Sequence, residues 1–189
     1  IADPAFSNPM LVADNFYLLN ENNKWEILSS VVFTSELGEI KSNCLRGFNS
    51  IETVKIEEGI KVISDYAFAE VESLKSVYLP STIERINYFA FSGCTSLKNV
   101  YFAGTLDQWV SIDFETYPSN PISLAENLYL LNENNEWVLL ENGYISEGIT
   151  TINDFSLYNL KSLKSITLPK SLTKIGFDAF SACDNIVNV

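Results

Sequence analysis

The 189-residue sequence contains no histidine. That absence excludes Ser–His–Asp and Cys–His nucleophile schemes, metal held by imidazole, and a histidine pH switch. Positive charge is scarce: 12 Lys and Arg stand against 24 Asp and Glu, a formal charge of −12. Such a balance argues against a sequence-independent grip on nucleic acid or on an anionic membrane surface. No apolar run approaches the roughly 18–20 residues of a membrane helix. The three cysteines, Cys44, Cys94 and Cys183, lie far apart with no Cys-x-x-Cys spacing, and all three fall on recurring core positions, so they are expected as buried thiols. Low cysteine use suits either the cytosol or a bacterial exterior. Phosphate-binding Gly-x-x-x-x-Gly-Lys and dinucleotide-binding Gly-x-Gly-x-x-Gly loops are lacking, as is an Asp-x-Asp-x-Asp-Gly calcium loop, so no cofactor and no metal site is expected.

What is present is repetition on two scales. A shift of 112 residues lays Ser7-Asn8-Pro9 on Ser119-Asn120-Pro121, and Asn15–Trp25 on Asn127–Trp137 with two differences. Inside that long period runs one of 23 residues, in coils 28–50, 51–73, 74–96, 140–162 and 163–185, with a further coil starting over 97–109. Positions 1, 4, 6, 10, 13, 18 and 21 of a coil are apolar in most copies; in the third they are Leu74, Val77, Leu79, Ile83, Ile86, Phe91 and Cys94. Positions 4 and 6 point to one face of a short strand, while Ser76 and Tyr78 face the other way. Pro80 ends that strand. One such coil has no partner for its apolar side, but stacked coils bury it.

The pattern Leu-x-x-Val-x-Leu-Pro-x-Ser/Thr-Leu/Ile-x-x-Ile-x-x-x-Ala-Phe-x-x-Cys resembles the BspA-like (Treponema pallidum type) leucine-rich repeat family. Ala67-Phe68, Ala90-Phe91 and Ala179-Phe180 carry its Ala-Phe signature, and Cys94 and Cys183 its cysteine. Two coils depart from it, with Cys44-Leu45 and Ser156-Leu157 in place of Ala-Phe. The resemblance implies a mainly β, right-handed leucine-rich repeat solenoid, with strands on one side and irregular or 3₁₀ segments on the other. It also implies a bacterial cell-surface or secreted location and non-enzymatic adhesion or protein binding. Because the sequence opens and closes inside a repeat, it reads as a single solenoid segment, 1–189, excerpted from a longer chain.

Hairpins at 15–27 and 127–139 interrupt the coils. Asn134-Asn135 is turn-prone, with Tyr129 and Leu131 set to pair with Trp137 and Leu139 across a hairpin; the earlier copy offers Tyr17, Leu19, Trp25 and Ile27. Leu106 and Trp109 keep the coil register, which places Trp109 in the slot of a core isoleucine.

Stacking aligns equivalent outward positions in rows. Position 5 gives Val32, Lys55, Tyr78, Tyr101, Tyr144 and Thr167; position 3 gives Ser30, Thr53, Ser76, Asn99, Asn142 and Ser165. From these, Lys55, Ser76, Tyr78, Asn99, Tyr101, Tyr144 and Thr167 are the candidate partner-binding residues, for a host matrix or cell-surface protein or a surface glycan. The rival readings are a structural spacer between other domains, a carbohydrate-binding module using the tyrosines with Trp25 and Trp137, and a hydrolase built on Asp107, Asp113, Glu115 and Glu126. The last is weakest: those acids read as a solvated loop, so no catalytic residue is assigned.

Overall fold

The computed structural model describes residues 17–19 and 21–188. The paired motif Ser7-Asn8-Pro9 and the opening of the first hairpin segment, Asn15-Phe16, lie outside the described residues. A first hairpin joins β1 (Tyr17–Leu19) to β2 (Trp25–Ile27). Coil by coil, a longer strand is then followed by a two-residue one: β3 (Ser30–Phe33) and β4 (Glu39–Ile40), β5 (Thr53–Ile56) and β6 (Val62–Ile63), β7 (Ser76–Leu79) and β8 (Arg85–Ile86). The next turn holds β9 (Asn99–Phe102), a short helix α1 (Leu106–Trp109) and β10 (Asp113–Phe114). The second hairpin, β11 (Asn127–Leu131) and β12 (Trp137–Leu139), precedes two coils carrying β13 (Asn142–Tyr144), β14 (Thr151–Ile152), β15 (Ser165–Thr167) and β16 (Lys174–Ile175).

The result is a mainly β leucine-rich repeat solenoid. On its front, β3, β5, β7, β9 and β11 pair in parallel, placing Val31, Val54, Val77, Val100 and Leu128 in one row. The seven periodic residues of the third coil, Leu74 to Cys94, are all buried. Phe68 stacks at 5.1 Å on Phe91 along the interior. The back departs from the expected irregular or 3₁₀ path: β4, β6, β8 and β10 form a second parallel ladder, with Ile40, Ile63, Ile86 and Phe114 in register. Two extended residues per coil suffice, because the inward side chain of each pair lands on its neighbour's.

Between the two ladders the backbone turns through left-handed residues at coil positions 16 and 20. These are Asn43 and Gly47, Tyr66 and Glu70, Phe89 and Gly93, Phe155 and Asn159, and Asp178 and Ala182, with φ between 52° and 80°. This alternation sends every second N–H along the solenoid axis. Tyr66, Phe68 and Glu70 thus donate to the carbonyls of Tyr88, Ala90 and Ser92, one coil on. Side chains donate in the opposite sense, to residues earlier in the chain: the Ser73 hydroxyl to the Ile51 carbonyl at 2.7 Å, and the Cys94 thiol to the Phe68 carbonyl at 3.1 Å.

The coil begun at 97–109 runs on to 126. Thr105 and Gln108 form a capping box that starts α1, and the Phe91 N–H donates to the Pro118 carbonyl at 3.2 Å, as it would to a regular next coil. This turn advances 28 residues between Asn99 and Asn127 instead of 23. The added length changes the expected slot of Trp109. Phe114 stacks on Ile86, while Trp109, fully buried, lies between Phe102 (5.2 Å) and Phe114 (5.6 Å). The front ladder then leaves the coils: β11 continues it, β12 ends it, and β13 pairs with β15 in a separate sheet.

Side chains splice the two runs of coils across this break. Leu157 donates its N–H forward to the Ala179 carbonyl, but the carbonyl of Ser156 has no regular coil behind it. Trp109 Nε1–H fills that place at 2.7 Å and Asn120 Nδ2–H at 3.1 Å, while Asn120 also donates to the Phe155 carbonyl at 2.8 Å. Asn153 and Asn159 donate in turn to the carbonyls of Ser111 and Ser123.

Two outcomes follow from this geometry. Trp109→Phe removes the shorter of the two hydrogen bonds to the Ser156 carbonyl and leaves a smaller ring in a fully buried site, so chemical denaturation should show a loss of about 1–3 kcal/mol. At the corners, Ala182→Gly relieves a left-handed alanine and should raise stability by up to about 1 kcal/mol. Gly93→Ala should lower it, since the added Cβ would sit 3.2 Å from the Glu70 Cα at φ +80°.

Candidate binding face

The outward side chains of the front ladder alternate with the buried ones, and parallel register lines them up. Lys55, Tyr78, Tyr101 and Tyr129 occupy one row. Tyr78 and Tyr101 stack with ring centroids 4.3 Å apart, and Tyr101 and Tyr129 at 4.7 Å. Trp137, from β12, stands edge-on to Tyr101 at 5.3 Å and Tyr78 at 6.0 Å. Four aromatic rings therefore form one platform. Burial, and then the neighbouring Tyr78 and Tyr129, raise the Tyr101 hydroxyl above its ordinary pKa.

Beside the rings runs a polar row of Thr53, Ser76, Asn99 and Asn127, in which Asn127 Nδ2 donates to Asn99 Oδ1 at 3.1 Å. Five of the candidate residues, Lys55, Ser76, Tyr78, Asn99 and Tyr101, thus lie together. Tyr144 and Thr167 do not continue their row. They pair with each other in the separate β13–β15 sheet, where Ser165 Oγ donates to Asn142 Oδ1. Tyr129 stands where Tyr144 was expected and Trp137 joins it; the 28-residue turn shifts the phase of the 23-residue count. The readable signal was the motif Asn99-Val-Tyr101-Phe102, repeated as Asn127-Leu128-Tyr129-Leu130.

Both hairpins form between the expected residues, with Tyr129 opposite Leu139 and Leu131 opposite Trp137, Tyr17 opposite Ile27 and Leu19 opposite Trp25. Their surroundings differ. Trp25 is 66% exposed, whereas Trp137 is 38% exposed over the tyrosines.

Three of the four acidic candidates serve as local partners, and the fourth, Glu126, is exposed. Asp113 pairs with Arg85 at 2.9 Å, Glu115 accepts the Tyr88 N–H at 3.0 Å, and Asp107 accepts the Ser146 N–H at 3.0 Å. Asp107 and Glu84 border a cleft of about 370 Å³ where α1 meets the following coil, and Glu84 there accepts from Lys61 at 2.7 Å. Among the described residues no three His, Cys, Asp or Glu side chains come together as a metal cluster. Of the cysteines only Cys94 is fully buried; Cys44 and Cys183 are half-buried against the core. Two of the three thiols expected to be buried are thus only partly covered. Burial pushes the Cys94 thiol up to about 12.

A family model for the BspA type leucine rich repeat region matches residues 23–135 and 135–189, in six copies. The chain belongs to the BspA-type leucine-rich repeat family. This BspA-type chain is also similar to solved bacterial proteins. A leucine-rich repeat protein from Eubacterium ventriosum matches at 18% identity and a TM-score of 0.52, over 88% of this chain and 49% of that one. The leucine-rich repeat protein of T. pallidum matches at 18% identity and a TM-score of 0.40, over 91% and 66%. A leucine-rich cell surface protein from Faecalibacterium prausnitzii matches at 21% identity and a TM-score of 0.38, over 92% and 52%. The chain therefore spans about half to two thirds of the length of these structures. No curated protein matches it.

Two measurements check the face and the core thiol of this repeat protein. Tyr101→Ala removes the middle ring of the stack and should cost about 1–2 kcal/mol in chemical denaturation. A thiol held near 12 is fully protonated at pH 8. Alkylation of the folded protein at that pH should therefore spare Cys94 until denaturant is added, while the half-buried Cys44 and Cys183 react first.

Proposed function

We propose that this repeat segment is a non-enzymatic protein-interaction module of a bacterial surface or secreted protein, binding through the strand-lined face. The platform of Tyr78, Tyr101, Tyr129 and Trp137 beside the amide and hydroxyl row carries this reading. It combines rigid aromatic area with hydrogen-bonding groups, the composition of protein-contact hot spots. Family membership and the acidic charge are in keeping with it, and no helix among the described residues is long and apolar enough to cross a membrane. The carbohydrate alternative is less well served, because the faces of Tyr78 and Tyr101 are turned on each other at 4.3 Å. A sugar ring stacks on an open face.

The test is a binding screen of the chain against immobilised extracellular-matrix and mucosal proteins beside a glycan array. Binding to a protein ligand that falls at least tenfold in Trp137→Ala, with the melting temperature within a few degrees of the parent, is the expected result. Glycan binding that depends on Trp137 would favour the carbohydrate module. A chain that binds nothing on either array would be a spacer.

A further inference from the structure

The front sheet does not end in a coil. It ends in β12, and the hydrogen-bond alternation of the hairpin fixes what that last strand presents. Leu140 donates its N–H to the Leu128 carbonyl and Asn132 to the Glu136 carbonyl, and the register sets Leu130 against Val138. The even-numbered residues of β12 and its flanks are thus bonded to β11. The N–H and C=O groups of Trp137 and Leu139 point the other way, to the open edge. Among the described residues none of these four groups has a partner. Such an edge is a template for another strand unless a charge, a proline or a bulge blunts it.

No blunting device sits at its centre. Val138, 49% exposed, is the middle residue of the strand. The duplicated hairpin has Glu26 at the matching position, between Trp25 and Ile27. A charge there opposes self-pairing, since two copies would set glutamate directly against glutamate. The two hairpins therefore differ at the one residue that decides whether the edge fits its own image.

We infer that β12 is a self-association edge, taking the β12 of a second copy of this chain in an antiparallel pair about a two-fold axis at Val138. In this register Trp137 of each copy faces Leu139 of the other. The four outward groups on each side form four interchain hydrogen bonds, and Val138 meets Val138. The two six-stranded front sheets become one sheet of twelve strands, with the two aromatic platforms side by side. The inference goes beyond the binding role proposed above and does not depend on it. A three-residue edge buries well under the roughly 1,200 Å² of a standard stable interface. Pairing is accordingly weak, with half-association on the order of 0.1 mM.

Sedimentation equilibrium of the full chain tests it at about 0.15 M salt, where the net charge is screened. The parent should rise from 21.2 kDa toward twice that mass as concentration increases. Val138→Lys should stay at the monomer mass, and Leu139→Pro, which removes an outward N–H and no hydrogen bond to β11, should do the same; circular dichroism verifies that both remain folded. Amide exchange of the parent supplies an independent reading: Trp137 and Leu139 should gain at least tenfold protection between dilute and about 1 mM protein. A parent that remains monomeric at about 1 mM overturns the inference. So does a dimer unaffected by both substitutions, which would lie on another surface, or exchange at Trp137 and Leu139 that ignores concentration.

Discussion

Each coil leaves its backbone donors and acceptors pointing along the solenoid axis, and only a neighbouring coil in register satisfies them. In a globular sheet protein a strand chooses among partners; here the corner N–H groups of coil n find their acceptors at n + 1, and the N–H groups around its strands find theirs at n − 1. That requirement explains why the left-handed residues recur at two fixed positions, and why non-glycine residues as bulky as Tyr66, Phe89 and Phe155 tolerate φ near 55°. The strain of such a conformation, about 1–2 kcal/mol per residue, is offset by three axial hydrogen bonds in each of the coils 28–50, 51–73 and 140–162 and by the burial there of Leu45, Phe68 and Leu157. Ion pairs add little to this balance. Arg46–Glu70, Lys61–Glu84 and Lys164–Glu141 bridge successive coils, yet all are exposed.

The same requirement dictates how the chain handles its interruption. A hairpin inserted into a solenoid threatens two orphaned surfaces, one on each side. On the near side β11 mimics a coil strand and takes the hydrogen bonds of β9. On the far side no strand is offered to the coil at 140–162. Tryptophan and asparagine side chains from the elongated turn replace the missing backbone donors. Trp109 is thus a structural member whose indole N–H matters as much as its area. The aromatic platform arises from the same device, because carrying Tyr129 and Trp137 onto the ladder is a by-product of letting the hairpin act as a coil.

Much of this was legible in the residues. The spacing of Leu74, Val77, Leu79, Ile83, Ile86, Phe91 and Cys94 reports an inward-facing set, since periodic burial is a local property of strand and turn geometry. The outward row through Lys55, Tyr78 and Tyr101 followed from the same alternation. The row beyond Tyr101 did not follow. A repeat count assumes constant coil length, and the turn between Asn99 and Asn127 breaks that assumption by five residues, displacing Tyr144 and admitting Tyr129. The back ladder was missed for a different reason: two-residue strands have no periodicity to detect, and only a neighbour reveals them.

Sequence by itself determined the coil, its interior, the stacking direction of its apolar rows and the pairing within each hairpin, because each is set by residues close along the chain. Tertiary structure alone decided which strand follows β9, which carbonyl accepts the Trp109 N–H, and which tyrosines share a face. Those depend on contacts 28 to 47 residues apart across a turn of irregular length. Chain closure over such a turn is a matter of three-dimensional fit, and no local pattern encodes it.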